Sequence, residues 1–286
     1  GEVKSALQRV ANRGELLPGR EVAAFERQAA DYCGVKHAIT CASGTDALLL
    51  ALIVSEVDAG LGIITSPFAD IAVGHAAGRL SASPVLIDIQ PFTYHIEAAS
   101  AEAFLQDSHP LNEMLPLEGH MVEAIITGHT FGHIDDMSPY LYYAREYDVT
   151  IIEGGGHSLG ARRGGKKAGS IGDIGCFSLF DNSSITGYGE AGLITTDNDE
   201  IAEQLRSVRR DDNDMPHLFN KKSYITEAQA AVLQVKLKHW EEWIEERIAN
   251  AHYYNRLFEQ AGITGDYAII EEQAKVDEFA LNGAGL

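Results

Sequence analysis

Four short segments of this chain hold residue types able to grip an anion or move a proton. Ser43-Gly44-Thr45-Asp46 follows an apolar strand and opens a helix. Backbone N–H groups left unpaired at such a start can hold a phosphate, and the same residues also suit a plain helix N-cap. Glu153-Gly154-Gly155-Gly156-His157 ends a second strand with a carboxylate, three glycines and an imidazole. Neighbours on a strand face opposite sides, so Glu153 and Gly154 address different surroundings. His129 to Asp136 carries an H-x-x-x-H spacing beside two aspartates. That spacing gathers metal ligands on a helix, whereas Gly132 and the acids read as a strand running out into a loop, so no metal is expected. The fourth segment, residues 177–192, reads F-S-L-F-D-N-S-S-I-T-G-Y-G-E-A-G and offers Ser178 and Ser183 hydroxyls but no amine.

The elements that must position these groups alternate in type. An amphipathic helix is expected over Glu21–Tyr32, then a strand at His37–Cys41 and a helix from Ala47. Further strands are expected at Gly62–Thr65, Pro84–Asp88, Ala124–Gly128, Val149–Glu153, Ile174–Leu179 and Ala191–Thr195, with helices between them. Such alternation predicts an α/β fold with a mostly parallel sheet flanked by helices. Residues 226–260 read as one long helix packed through Trp240, Trp243 and Ile244, with a charged outer face. Arg162 to Lys167 reads as a solvated hairpin. We expect a large domain over residues 1–248 and a partial C-terminal small domain over 249–286.

The net charge of −20 argues against nucleic acid and anionic membrane surfaces as partners. Three cysteines without C-x-x-C spacing argue for small core residues in a reducing cytoplasm rather than a disulfide framework. The longest apolar run, Ala47 to Val54, is too short to span a bilayer.

Several ordered blocks carry a resemblance. They are Pro18-Gly19-Arg20-Glu21-Val22 with Phe25-Glu26, then Tyr32 to Ala38, Ser43-Gly44-Thr45-Asp46-Ala47-Leu48, Gly169 to Ser178, and Gln229-Ala230-Ala231 before a long helix. Together they resemble the DegT/DnrJ/EryC1/StrS family of pyridoxal-phosphate nucleotide-sugar aminotransferases over roughly residues 15–260. The resemblance implies a fold-type-I aminotransferase architecture with a truncated small domain, a dimer with active sites at the subunit interface, and pyridoxal or pyridoxamine phosphate as cofactor. It also implies that Gly44, Thr45 and Ser178 hold the cofactor phosphate.

Other family positions are occupied by different residues here. Ser183 stands where the family has its Schiff-base lysine, and a hydroxyl cannot form an imine with an aldehyde. Gly154 stands for the aspartate that keeps the pyridine nitrogen protonated, and His157 for a glutamine. Asp70 falls on the ring-stacking aromatic, and Lys222 on an asparagine that reaches the partner subunit's phosphate. The family's pyridoxamine-dependent sugar dehydratases use a histidine at the lysine position, and serine matches neither branch, although His157 could supply a base. The expectation is a homologue with a degenerate cofactor site and no unaided transamination. Its alternatives are an active aminotransferase or dehydratase using a non-standard residue, a non-catalytic subunit paired with an active paralogue, and a binding protein for another phosphorylated small molecule.

Overall fold

The computed structural model describes residues 1–14, 17–115, 117, 119–156, 158–180, 185–210 and 222–262. Helices α1 (Glu2–Arg13) and α2 (Arg20–Cys33) each end on a left-handed glycine, Gly14 and Gly34. Strand β1 (His37–Cys41) feeds α3 (Gly44–Val54), β2 (Gly62–Thr65) and α4 (Ile71–Leu80). Next come β3 (Ser83–Leu86), α5 (Ala98–Leu105), the short α6 (Pro110–Met114), β4 (Val122–Thr127) and α7 (Ser138–Tyr147). Strand β5 (Thr150–Gly154) leads to a small hairpin, β6 (Arg162–Arg163) and β7 (Lys166–Lys167). The described chain closes with β8 (Ile174–Ser178), β9 (Gly192–Thr196), α8 (Asp199–Arg210) and α9 (Glu227–Gln260).

The main sheet runs β1-β9-β8-β5-β4-β2-β3. Its strands from β8 through β5, β4 and β2 to β3 are parallel, and β9 is antiparallel to both β1 and β8. The mostly parallel α/β sheet expected from the alternation is what forms. Both faces are covered, so the strands read as near-continuous apolar runs and successive residues enter two different cores. Ile125, Ile151, Phe177 and Leu193 pack with Phe25, Tyr140 and Trp240 on one side. Ala124, Ile126, Ile152, Cys176 and Ile194 pack with α3, α4 and α8 on the other. Helix α3 lies inside that second layer, which is why Ala47 to Ile53 are buried all round.

Helix α9 starts on a capping box between Thr226 and Gln229. Beside it the buried Glu227 carboxylate accepts from the backbone N–H groups of Gly19 (2.8 Å), Glu21 (3.0 Å) and Val22 (3.0 Å), tying α9 to the start of α2. Trp240 and Ile244 are buried as expected, and Trp240 Nε1 donates to the Leu159 carbonyl at 2.9 Å. The helix runs unbroken through residue 248. The hairpin is less solvated than its composition suggests. Lys167 keeps only 13% of its side chain exposed, pairs with Glu241 at 3.2 Å, and sits 3.4 Å above the Tyr32 ring. Burial pulls its ammonium below the ordinary lysine value, against the opposing pull of Glu241. Among the described residues no helix is long and apolar enough to cross a membrane.

Candidate active site

A cavity of about 180 Å³ opens at the C-terminal ends of β4, β5 and β8, where the loops leave the sheet. In open α/β sheets that edge is where ligands bind. Its polar end is the start of α3. Ser43 is the N-cap and accepts from the Asp46 N–H at 3.1 Å, while Gly44, Thr45 and Ser178 line the same end. Gly44 is required by packing: a Cβ there would lie 2.8 Å from the Ser178 Cβ, closer than such atoms approach. The close passage of β8 under α3 thus gathers a hydroxyl and helix N–H groups at one point.

This loop is gripped from behind. Ser223 Oγ, fully buried, accepts from the Ala42 N–H at 2.9 Å and donates to Asp46 Oδ2 at 2.7 Å. Arg79 approaches the other Asp46 oxygen at 3.6 Å. A buried aspartate in the first turn is favourable to the helix dipole and here carries these partners as well.

The body of the cavity is small and apolar. Ala69, Ala72, Ile126 and Cys176 form its walls, and Gly128, Gly154 and Gly156 contribute backbone only. Burial, with Cys41 and Glu153 nearby, pushes the Cys176 thiol well above its ordinary range, so it is a neutral wall group. The sequence expectations place unevenly. Gly44, Thr45, Ser178, Asp70 and Gly154 all line the cavity. Asp70 serves as the N-cap of α4, accepting from the Ala72 N–H at 2.8 Å. Lys222 is exposed and does not line this chain's own cavity, as a residue expected to reach the partner subunit's phosphate need not. Ser183 and His157 lie outside the described residues. Phe180 and Glu190 line the mouth and were not among the sequence candidates, although both stand inside the motif that holds Ser178.

Glu153 faces away from the cavity, as strand alternation requires. It is fully buried and accepts four hydrogen bonds: from His129 Nε2 (2.7 Å) and the backbone N–H groups of Gly169 (2.9 Å), Ile171 (2.7 Å) and Gly172 (2.7 Å). Burial pushes its carboxyl up, but the His129 hydrogen bond together with the backbone donors outweighs it and holds the group below the usual carboxylate value. This carboxylate fastens the 169–172 turn and does not face the ligand cavity. His129 is likewise committed, receiving the Asp135 N–H on Nδ1 at 3.4 Å. Among the described residues no cluster could hold a metal ion.

Helix N–H groups and Ser178 suit a phosphate. Gly154 contributes backbone only to the wall, and no lysine is among the described lining residues.

Fold and site together define a protein of the fold-type-I pyridoxal-phosphate aminotransferase class. The chain belongs to the DegT/DnrJ/EryC1/StrS aminotransferase family, whose sequence profile matches residues 1–281. It is 35% identical over 251 residues to GDP-perosamine synthase of Caulobacter vibrioides, covering 85% of this chain and 63% of that protein. It is 31% identical over 275 residues to the pleiotropic regulatory protein of Geobacillus stearothermophilus, covering 95% of this chain and 70% of that one. Among solved structures, S. venezuelae DesV in complex with a ketimine intermediate superposes with a TM-score of 0.81 at 27% identity, over 95% of this chain and 70% of DesV. The chain thus spans 63–70% of the length of these relatives. Family members bind pyridoxal or pyridoxamine phosphate and are typically dimeric.

Proposed function

We propose that this chain is a nucleotide-sugar aminotransferase homologue that keeps the phosphate-holding frame of its family but does not transaminate unaided. The observation that carries the reading is Gly154. It lines the cavity on the face where a ring-binding carboxylate would stand, and the neighbouring Glu153 is consumed by the 169–172 turn. The sequence adds Ser183 at the imine-forming position. Of the two carboxylates on the cavity wall, Asp70 caps α4 and Glu190 lies at the exposed mouth. A cofactor held only by its phosphate would lack the protonated ring that makes it an electron sink.

A dimer, either with itself or with an active paralogue in the cytoplasm, is part of this reading. It would give the frame a use, since a subunit without chemistry can still shape a shared pocket. The test is absorbance and borohydride trapping with pyridoxal phosphate. The chain should bind it without a trappable imine. Ser183→Lys should restore the imine but not transamination, and Ser183→Lys with Gly154→Asp should be needed for turnover. A Cβ at Gly154 would stand 3.0 Å from the Thr127 carbonyl, so the double variant needs a shift of a few tenths of an ångström there. Turnover by the unaltered chain with an amino donor and a keto sugar would overturn the proposal.

A further inference from the structure

One buried hydroxyl ties together the two ends of the turn at the polar end of the cavity. Ser223 Oγ accepts from the Ala42 N–H at 2.9 Å and donates to Asp46 Oδ2 at 2.7 Å. Ala42 and Asp46 bracket Ser43-Gly44-Thr45, the residues that line this end of the cavity. A hydroxyl suits both contacts, having one proton to give and lone pairs with which to accept. The Ser43 hydroxyl does not do this work, because it is engaged with the Asp46 N–H at 3.1 Å. On its other side the turn meets β8, where Gly44 leaves no room for a Cβ against Ser178.

Ser223 is itself fixed from two directions. Its backbone N–H donates to the Arg209 carbonyl at 3.1 Å, in the last turn of α8. The Arg209 guanidinium reaches β1 as well: Nη1 donates to the Thr40 carbonyl at 2.7 Å and to Glu26 Oε1 at 2.6 Å. That same Glu26 oxygen accepts from the Thr40 N–H at 2.9 Å and the Thr40 hydroxyl at 2.8 Å. One residue at the end of α8 thus holds both the strand that leads into the turn and the serine that closes it. On the C-terminal side Ile225 is buried and Thr226 caps α9, so the start of that helix fixes the serine too. Neither Ser223 nor Arg209 is among the described residues lining the cavity.

We infer that Ser223 is a positioning residue for the anion-binding turn, set in place by Arg209, and that the turn holds a phosphate only while this clamp is closed. This deepens the phosphate-holding reading of the site and rests on it. Helix N–H groups bind an anion well only while they converge on one point, and a turn tied at both ends keeps them convergent before the ligand arrives. A hydroxyl serving stability alone would behave differently. Its loss would then cost no more ligand affinity than an equally destabilising change elsewhere on the same segment.

The experiment is calorimetric titration with inorganic phosphate and absorbance titration with pyridoxal phosphate, on the unaltered chain, Ser223→Ala, Ser223→Cys and Thr226→Ala. Thr226→Ala removes the cap of α9 and is the stability control, with urea denaturation measuring how well the losses match. Ser223→Ala should weaken phosphate binding about tenfold, while Thr226→Ala should leave it within about twofold. Ser223→Cys should fall between them, because a thiol has a similar shape but donates and accepts weakly; it decides the comparison if Ser223→Ala does not fold. Hydrogen exchange across residues 40–48 should quicken in Ser223→Ala and not in Thr226→Ala. Phosphate affinity unchanged in both Ser223 variants, or weakened equally in Thr226→Ala, would overturn the inference. Phosphate binding that depends on Ser223, with no pyridoxal-phosphate binding, would sink the cofactor-frame reading and leave the clamp standing. Pyridoxal-phosphate binding indifferent to Ser223 would do the reverse, and an unaltered chain that binds neither probe would remove both.

Discussion

Replacing Glu153 with glutamine separates an anchoring role from a ligand-facing one. The carboxylate has two acceptor oxygens and four donors: Ile171 and Gly172 on Oε1, Gly169 and His129 on Oε2. A glutamine of the same shape must place its NH2 group against one of these pairs, whichever way it flips. On the Oε1 side two backbone donors then face a donor. On the Oε2 side His129 could change tautomer, but its Nδ1 already receives the Asp135 N–H, so that rescue breaks another bond. At least one buried N–H is orphaned and the charge that strengthened all four bonds is lost. The expected cost is about 3–5 kcal/mol at neutral pH, corresponding to a melting decrease on the order of 10 °C for a chain of this size. Urea denaturation of both proteins measures it. The pH dependence has a fixed sign. The folded Glu153 carboxyl lies below its ordinary value of 4.5, so its contribution is present above that value and is lost as the solution is acidified through the folded value. The gap between wild type and Glu153→Gln should therefore be full at pH 7 and narrow in acid. A variant with unchanged stability but weakened pyridoxal-phosphate binding would refute the anchoring assignment and return Glu153 to the ligand.

Two further outcomes follow from the geometry around the site. His133 is buried with Nδ1 unpaired, and burial, together with the nearby His95 and Arg163, lowers it from 6.5 to about 4. Its neutral form is the folded one, so stability should be unaffected above pH 6.5 and fall between there and about pH 4, by about 3 kcal/mol in all. His133→Asn should flatten that part of a denaturation-versus-pH curve, and an identical slope in both proteins would count against it. Gly44→Ala should cost about 1–3 kcal/mol, because its methyl meets the Ser178 Cβ at 2.8 Å with backbone behind both. Chemical denaturation tests this, and a neutral substitution would show that β8 can move away from α3.

The mostly parallel sheet, the long α9 and the cap at Ser43 were legible because each rests on local pattern: alternating apolar runs, packing residues opposite a charged face, a turn before an apolar helix. The position of Glu153 on the far face also followed from strand alternation alone. What sequence could not supply was proximity across long separations. Nothing local marks Ser223 as the partner of Asp46, or joins His95 to His133, since those contacts depend on how the loops of different strands converge. Lys167 misled for a related reason. A two-residue hairpin rich in Arg and Lys reads as solvated, until α9 brings Glu241 against it and Tyr32 supplies a ring face.

The phosphate-holding end of the proposed site has a second, structural use. Ser43 caps α3, Gly44 lets β8 pass, and Asp46 with Ser223 fastens the loop between β1 and α3, so each part of the phosphate-holding end also serves folding. A carboxylate at 154 would face the cavity and support no element, and glycine at this position pairs β5 with β8 through Gly154 and Cys176. Selection for the fold alone would keep the first set and release the second. The presence of the cradle is therefore no measure of ligand binding.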